Sequence, residues 1–275
     1  MSTALYPVPS VLPPAPYIGG KRNLATRITR LIGTIPHETY AEPFVGMGGI
    51  FLRRKHRPPC EIINDISEDV TTLFLILQEH YGYFIDHLRF RLSSRAEFER
   101  LVALDPSRSR LTDLNRAARF LYLQRLAFGG KVSGRNFGIS PGRPARFNVT
   151  QLEPMLADLH ERLAGVVIER MPWNEFIARY DRPGTLFYLD PPYFGCEKDY
   201  GPGVFGRDDF TAMAEQLAGI EGRFLLSIND APEIRDTFAR FHILPVSTRY
   251  SVGGAANGKT AAELLIANFP LAAND

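Results

Sequence analysis

The feature that most restricts the fold is an alternation of short apolar runs with helical periods near the start of the chain. Asn23 to Ile35 carries Leu24, Ile28, Leu31 and Ile32 at helical spacing. Tyr40 to Val45 is a short apolar run that ends in a glycine turn, and Leu52 closes the short helix expected after it. Arg53 to Arg57 reads as a basic loop. Cys60 to Asn64 reads as a second buried strand and Asp69 to His80 as the next helix. Parallel strands need a long crossover between them, and a helix supplies it. Strand, turn, helix, strand, helix is therefore the pattern of a doubly wound parallel sheet.

The alternation then stops. From about Tyr83 to His160 the periods are helical, clearest in Phe84 to Leu104 and Asn115 to Ala127. After the second comes a loop rich in Gly, Arg and Asn, FGGKVSGRNFGISPGRPARFNV. A loop of that length is uncommon in a compact domain unless it binds something. Strands resume at Val166 to Glu169, Leu186 to Asp190 and Phe224 to Ile228. Phe241 to Val246 and Glu263 to Phe269 read as a closing antiparallel pair. The expected architecture is an α/β, Rossmann-like sheet domain, residues 1–80 and 161–275, with an antiparallel last strand. A helical insertion, residues 81–160, interrupts it.

At 275 residues and 45% hydrophobic, the chain is long enough for one such domain with an insertion. Two cysteines form no disulfide framework, so a reducing cytoplasm is the expected compartment. No run approaches the roughly 18 apolar residues of a membrane span, and the proline-broken N-terminus lacks a signal-peptide core. His37, His56, His80, His87, His160 and His242 show no ligand spacing, and no metal is expected. The net charge of +2 hides an asymmetry. Residues 81–150 hold 13 basic and 5 acidic side chains, whereas residues 151–275 hold 11 basic and 18 acidic. A basic central block points to a polyanion surface or to solvated arginine-rich helix faces.

Three motifs carry chemistry. In AEPFVGMGG an apolar strand runs into Gly46, Gly48 and Gly49, where backbone can approach a bound nucleotide. The spacing is neither the dinucleotide fingerprint nor a phosphate loop. The next strand ends in IINDISED, about 20 residues on. Asp65 there can accept hydrogen bonds from a ribose, or it can cap the following helix. Third, FYLDPPYFG places Asp190, Pro191, Pro192 and Tyr193 directly after an apolar strand. The prolines remove N–H donors and leave carbonyl acceptors. A carboxylate and a carbonyl can accept both N–H bonds of a planar amine while the tyrosine stacks on its ring.

The set FVGMGG, ND and DPPY, in this order and with YIGGKR ahead of it, resembles the Dam-like, alpha-group adenine-specific DNA methyltransferases, in particular their phage and prophage members. The likeness covers nearly the whole chain, and the tail segment AAELLIANF is similar to that family's final strand. The resemblance implies that S-adenosylmethionine is the methyl donor, without metal. It implies that Tyr17, Lys21, Phe44, Gly46, Gly48, Asp65 and Asp190 hold that cofactor, and that Asp190, Pro191, Pro192 and Tyr193 form the base pocket. It further implies double-stranded DNA as partner, no membrane, and a restriction endonuclease as an optional partner; for the oligomeric state, a monomer is the simplest expectation. Lys131, Arg135, Asn136, Arg143 and Arg146 in the insertion are the candidate DNA contacts. Only the loop around them departs from the best-known members, so their target sequence does not carry over. The alternative substrates are cytosine N4 in DNA and a protein glutamine, because DPPY is shared among amino methylases. Methylation at cytosine carbon 5 would need a thiol. Cys60 reads instead as a buried strand residue, and Cys196 as incidental.

Overall fold

The computed structural model describes residues 5–106, 109–139, 142, 144–197, 201, 203–250 and 259–271. Seven strands build the central sheet: β1 (Thr39–Glu42), β2 (Cys60–Asn64), β3 (Val167–Glu169), β4 (Thr185–Leu189), β5 (Arg223–Asn229), β6 (His242–Tyr250) and β7 (Lys259–Ala267). Their spatial order is β3-β2-β1-β4-β5-β7-β6. The first five are parallel, and β7 runs antiparallel to both β5 and β6. This is the expected α/β sheet with its closing antiparallel pair. The order reverses between β1 and β4, the switch point at whose carboxyl ends such sheets bind ligands.

Neighbouring residues of each inner strand enter opposite cores. Tyr40, Ile63 and Tyr188 face one apolar layer, with α1 (Ala25–Thr34), α2 (Glu68–Glu79), α5 (Asp113–Leu126) and α6 (Val149–Leu163). Ala41, Ile62 and Phe187 face the other, with α7 (Trp173–Tyr180), α8 (Arg207–Ala218) and α9 (Pro232–Thr237). Side chains alternate across a strand, so a strand covered on both faces reads as a continuous apolar run. That is why β4, buried at all five positions, was legible as TLFYL.

The helical stretch Phe84 to Leu104 is not one helix. α3 (Tyr81–Leu88) and α4 (Arg95–Ala103) are separated by residues 89–94. Ser94 caps α4 by accepting the Glu97 N–H at 3.4 Å. The buried Tyr122 hydroxyl of α5 accepts the Ser94 N–H and donates to the Leu92 carbonyl, each at 2.9 Å. A tertiary partner thus satisfies backbone groups that a continuous helix would have used, which periodicity alone does not reveal. Among the described residues, 81–160 contains no named strand.

Three further expectations change. The helix after the glycine turn is only a 3₁₀ turn, Phe51–Arg53. Arg53 to Arg57 is not a free basic loop: Arg54 is buried, and His56–Arg57 pairs antiparallel with Tyr6–Pro7 of the N-terminal arm. Cys60 opens β2 and is half-buried rather than buried, because the first position of this inner strand lies at the amino end of the sheet; Cys196 is exposed. No helix among the described residues is long and apolar enough to cross a membrane.

Candidate active site

The glycine turn follows β1 and closes against its surroundings. Gly46 and Gly48 have φ of +51° and +73°, a region that disfavours side chains. A Cβ on Gly48 would sit 2.8 Å from the Leu52 side chain, and one on Gly46 would sit 3.1 Å from the Tyr17 ring. Asp65 leaves the end of β2 and ties this turn to the next helix. Its Oδ2 accepts the Gly46 N–H and its Oδ1 the Ser67 N–H, both at 2.9 Å. The sequence offered a ribose acceptor or a helix cap; Asp65 instead joins the glycine turn to Ser67, the residue that precedes the helix, and does not cap the helix itself. Burial pushes its carboxyl up to about 6, against the two N–H bonds that favour the charged form. Each oxygen retains a lone pair for a ligand hydroxyl. Asn64, next to it, holds β1 and β3 together through the Pro43 and Met171 carbonyls and the Met171 N–H.

Asp190 follows the last residue of β4 and sits over a buried charge cluster. Lys21 is 1% exposed, and its Nζ lies 3.0 Å from Asp190 Oδ1 and 3.2 Å from Glu263 Oε2. The same ammonium donates to the Tyr193 hydroxyl at 2.5 Å and lies 4.0 Å from that ring's centre. The Tyr193 hydroxyl in turn donates to Glu263 Oε1 at 2.7 Å. Ser227 Oγ, itself paired with the buried Tyr188 hydroxyl at 2.7 Å, donates to Asp190 Oδ1 at 3.4 Å. Both Lys21 and Ser227 thus meet the same oxygen, Oδ1. Burial is the largest effect on this carboxyl and pushes it up to about 6, with Lys21 opposing and Glu263 adding. Asp190 remains 21% exposed by side chain, whereas Lys21 and Glu263 are closed off.

The structure therefore brings Lys21, Asp190 and Tyr193 into one cluster, with Pro191 and Pro192 buried beside it. Gly46, Gly48, Asp65 and Tyr17 form a second group at the glycine turn of β1, the neighbour of β4. Phe44 is half-buried and packs edge-on against Phe205 at 5.9 Å. Sequence reasoning missed Glu263 and Ser227. The available signal was a lone polar residue inside an apolar strand, AAELLIA and FLLSIN, which is costly unless it has a partner.

The insertion candidates separate. Lys131, Asn136 and Arg146 are exposed. Arg135 is half-buried at the base of the loop, with Nη2 donating to Gln124 Oε1 at 3.4 Å. Arg143 lies outside the described residues. The loop is stitched to the N-terminal arm: Gln124 Nε2 donates to the Pro16 and Gly130 carbonyls at 2.9 and 2.6 Å, and the Ile18 N–H donates to the Gly130 carbonyl at 3.0 Å.

Comparison with known proteins agrees with this geometry. Residues 17–252 match the D12 class N6 adenine-specific DNA methyltransferases. The chain is 22% identical to the type II methyltransferase M1.LlaDCHI of Lactococcus lactis subsp. cremoris, covering 92% of this chain and 94% of that one. It is 26% identical to the DNA adenine methylase of Escherichia coli K12, covering 89% of each. It is 24% identical to the DNA N-6-adenine-methyltransferase of Escherichia phage P1, covering 86% of this chain but 32% of the phage protein. With the match spanning the glycine turn, the insertion and the DPPY strand end, the chain belongs to the D12 class N6 adenine-specific DNA methyltransferases.

Proposed function

We propose that Asp190 Oδ2 and the backbone carbonyl of Pro191 grip the N6 amine of an adenine flipped out of duplex DNA. The observation that carries this is the one-sided bonding of Asp190, whose Oδ1 is occupied by Lys21 and Ser227. The lone pair of an aromatic amine is delocalised into its ring. Two acceptors on its N–H groups favour a pyramidal, nucleophilic nitrogen and stabilise the charge that develops there. Lys21 and Glu263 fix the Tyr193 hydroxyl, which orients the tyrosine ring as a stacking platform for the base. Flipping costs a few kcal/mol, and stacking in the pocket offsets part of it. Asp190, raised to about 6, is the nearest carboxylate to take up the proton the amine loses.

S-adenosylmethionine supplies the electrophilic methyl group. The residues present fit it. Asp65 has acceptor capacity for a ribose, the turn carries no side chain of its own at Gly46 and Gly48, and Tyr17 and Phe44 offer aromatic surface beside it. Residues 81–160 act as the DNA-reading unit, with Lys131, Asn136, Arg143 and Arg146 as its contacts. The charge of that block and the exposure of Lys131, Asn136 and Arg146 support this. Arg135 acts in placing the loop, given its seat against Gln124.

A labelled-methyl assay on unmethylated duplex DNA, denatured DNA and bulk protein tests the activity, with N6-methyladenine as the expected product. Methyl on cytosine or on protein alone would overturn it. Calorimetry with S-adenosylmethionine should show one site per chain that a chelator does not remove.

A further inference from the structure

The loop that splits α3 from α4 has an unusual surface. Phe90 is 87% exposed and Leu92 is 80% exposed, the two most exposed large apolar side chains among the described residues. Such side chains on a pliant loop would fold back onto the protein. Here the backbone is fixed underneath them. The Tyr122 hydroxyl bonds the Leu92 carbonyl and the Ser94 N–H, Ser93 Oγ donates to the Phe147 carbonyl at 2.9 Å, and the Arg91 N–H bonds the Leu88 carbonyl at 2.9 Å. The two side chains are therefore held out in solvent by buried anchors.

Their surroundings are cationic. Arg89, Arg91 and Arg95 interleave with them in the sequence LRFRLSSR. Arg89 and Arg95 are more than half exposed and hold surface ion pairs, with Asp86 at 3.3 Å and Glu99 at 4.0 Å. Such pairs are worth little and exchange readily for a stronger anion. Arg91 is half-buried against His87 at 3.0 Å. The loop also adjoins the Gly/Arg/Asn loop. The Arg95 guanidinium lies 4.9 Å from the Phe137 ring centre, and Phe147 receives the Ser93 bond.

We propose that residues 89–95 are a second DNA contact, in which Phe90 and Leu92 form an apolar wedge that enters a base step and Arg89 and Arg95 hold the flanking phosphates. This rests on the reading of residues 81–160 as the DNA-reading unit and adds to it a means of opening the duplex. Apolar wedges of Phe or Leu between base steps unstack and kink DNA, and the flanking arginines supply the phosphate anchorage that a lone apolar tip lacks. A rigid tip loses little conformational entropy on insertion. An extruded adenine leaves a weakened stack, so a wedge near the target lowers the cost of flipping.

The test uses Phe90→Ala/Leu92→Ala in the full chain. Both side chains are exposed, so the melting temperature and S-adenosylmethionine binding should match the parent. Duplex affinity should fall about tenfold or more, the scale of re-exposing one or two large apolar side chains. The salt slope should be unchanged, because no phosphate contact is lost. Affinity for single-stranded DNA should fall less. The fluorescence of a 2-aminopurine at the target position, which reports unstacking, should be diminished at saturating protein. Phe90→Leu should restore most of the affinity, and Arg89→Ala should instead reduce the salt slope by about one ion. Lys131→Ala and Asn136→Ala serve as comparators. If they weaken duplex binding while Phe90→Ala/Leu92→Ala does not, the wedge is overturned and the DNA-reading unit stands. If none of these variants weakens it, the DNA-reading unit fails as well. A change in sedimentation with unchanged DNA affinity overturns the wedge in favour of a contact with a second copy.

Discussion

Two buried charge clusters sit at opposite ends of the same sheet. At the carboxyl end one cation, Lys21, faces Asp190, Glu263 and the Tyr193 hydroxyl. At the amino end two cations, Arg54 and Arg162, share one carboxylate, Glu61. Arg162 pairs with it bidentately at 2.7 and 2.7 Å, and Arg54 completes it through Oε1. Their guanidinium planes lie 3.6 Å from the Tyr40 ring centre and 4.1 Å from that of Phe51. Side chains in this lower cluster are at most 3% exposed. The lower carboxylate has both oxygens engaged by guanidinium groups, a geometry suited to holding strands and helices together. The upper one has a single oxygen engaged and access to solvent. Buried charge is not in itself a sign of a site; an incompletely bonded carboxylate at the ligand-binding edge is.

The sharpest way to break the comparison is Asp190→Asn. Methyl transfer should fall by about 10²–10³ or more, the scale of losing one aligned electrostatic partner of a transition state. Thermal stability at pH 7.5 should be unchanged or higher. The folded carboxyl titrates near 6, above the ordinary 3.8, so the fold binds this proton more tightly than the unfolded chain does. Its charge therefore costs stability above about pH 6 and nothing below about pH 4. A melting curve and a turnover assay on one preparation check both halves, and a variant that keeps near-parental turnover would sink the assigned role.

Glu61→Gln should do the opposite. It strands two buried guanidinium groups, and breaking a buried pair costs roughly 3–5 kcal/mol. Denaturant unfolding should show that loss, while turnover per folded molecule stays at the parental value. A drop in turnover of the folded fraction would show that the two ends of the sheet are coupled.

The pH profile sharpens the contrast at smaller amplitude. Asp190 and Asp65 both titrate near 6, raised first by burial. kcat/KM should therefore fall with acidification below about pH 6, by one decade per unit if only Asp190 must be ionised and approaching two if Asp65 must be as well. Asp65→Asn should bring a two-decade slope back to one.

The smallest effect is expected at Glu42, at the end of β1. Burial raises its carboxyl to about 8, against the Tyr40 hydroxyl bond at 2.7 Å, so it is largely protonated at neutral pH. Glu42→Gln replaces a neutral acid with a neutral amide of the same shape. Below about pH 4.5, where folded and unfolded chains both carry the proton, stability should change by less than about 1 kcal/mol, within the net worth of one hydrogen bond. Titrating unfolding between pH 4.5 and 8 should show the parent, but not Glu42→Gln, losing stability, because over that window the unfolded chain has released this proton and the folded one keeps it.

How far the sequence reached differed by element. Strands β1, β2, β4 and β5 were readable because both faces of each are covered, so their central positions, such as Ile62–Ile63, Leu186–Leu189 and Phe224–Leu226, are apolar without alternation. The helix from Phe84 to Leu104 was misread because Phe84, Leu88, Phe98 and Leu101 keep helical spacing across the break and are all buried. Nothing in that spacing records that Tyr122, some thirty residues on, would claim the Leu92 and Ser94 backbone. Arg53 to Arg57 resembled a solvated basic loop for a similar reason: the partner of Arg54 is Glu61, on the next strand.

The sequence by itself determined the parallel sheet, its closing hairpin, the glycine turn with Asp65, and the DPPY strand end, because each is a local pattern with a local physical cause. Only the tertiary structure decided that Lys21 from the N-terminal arm and Glu263 from the last strand meet under Asp190 and Tyr193. Residues 21 and 263 come together through the strand order β1-β4-β5-β7, and no spacing along the chain encodes a contact that depends on which strands become neighbours.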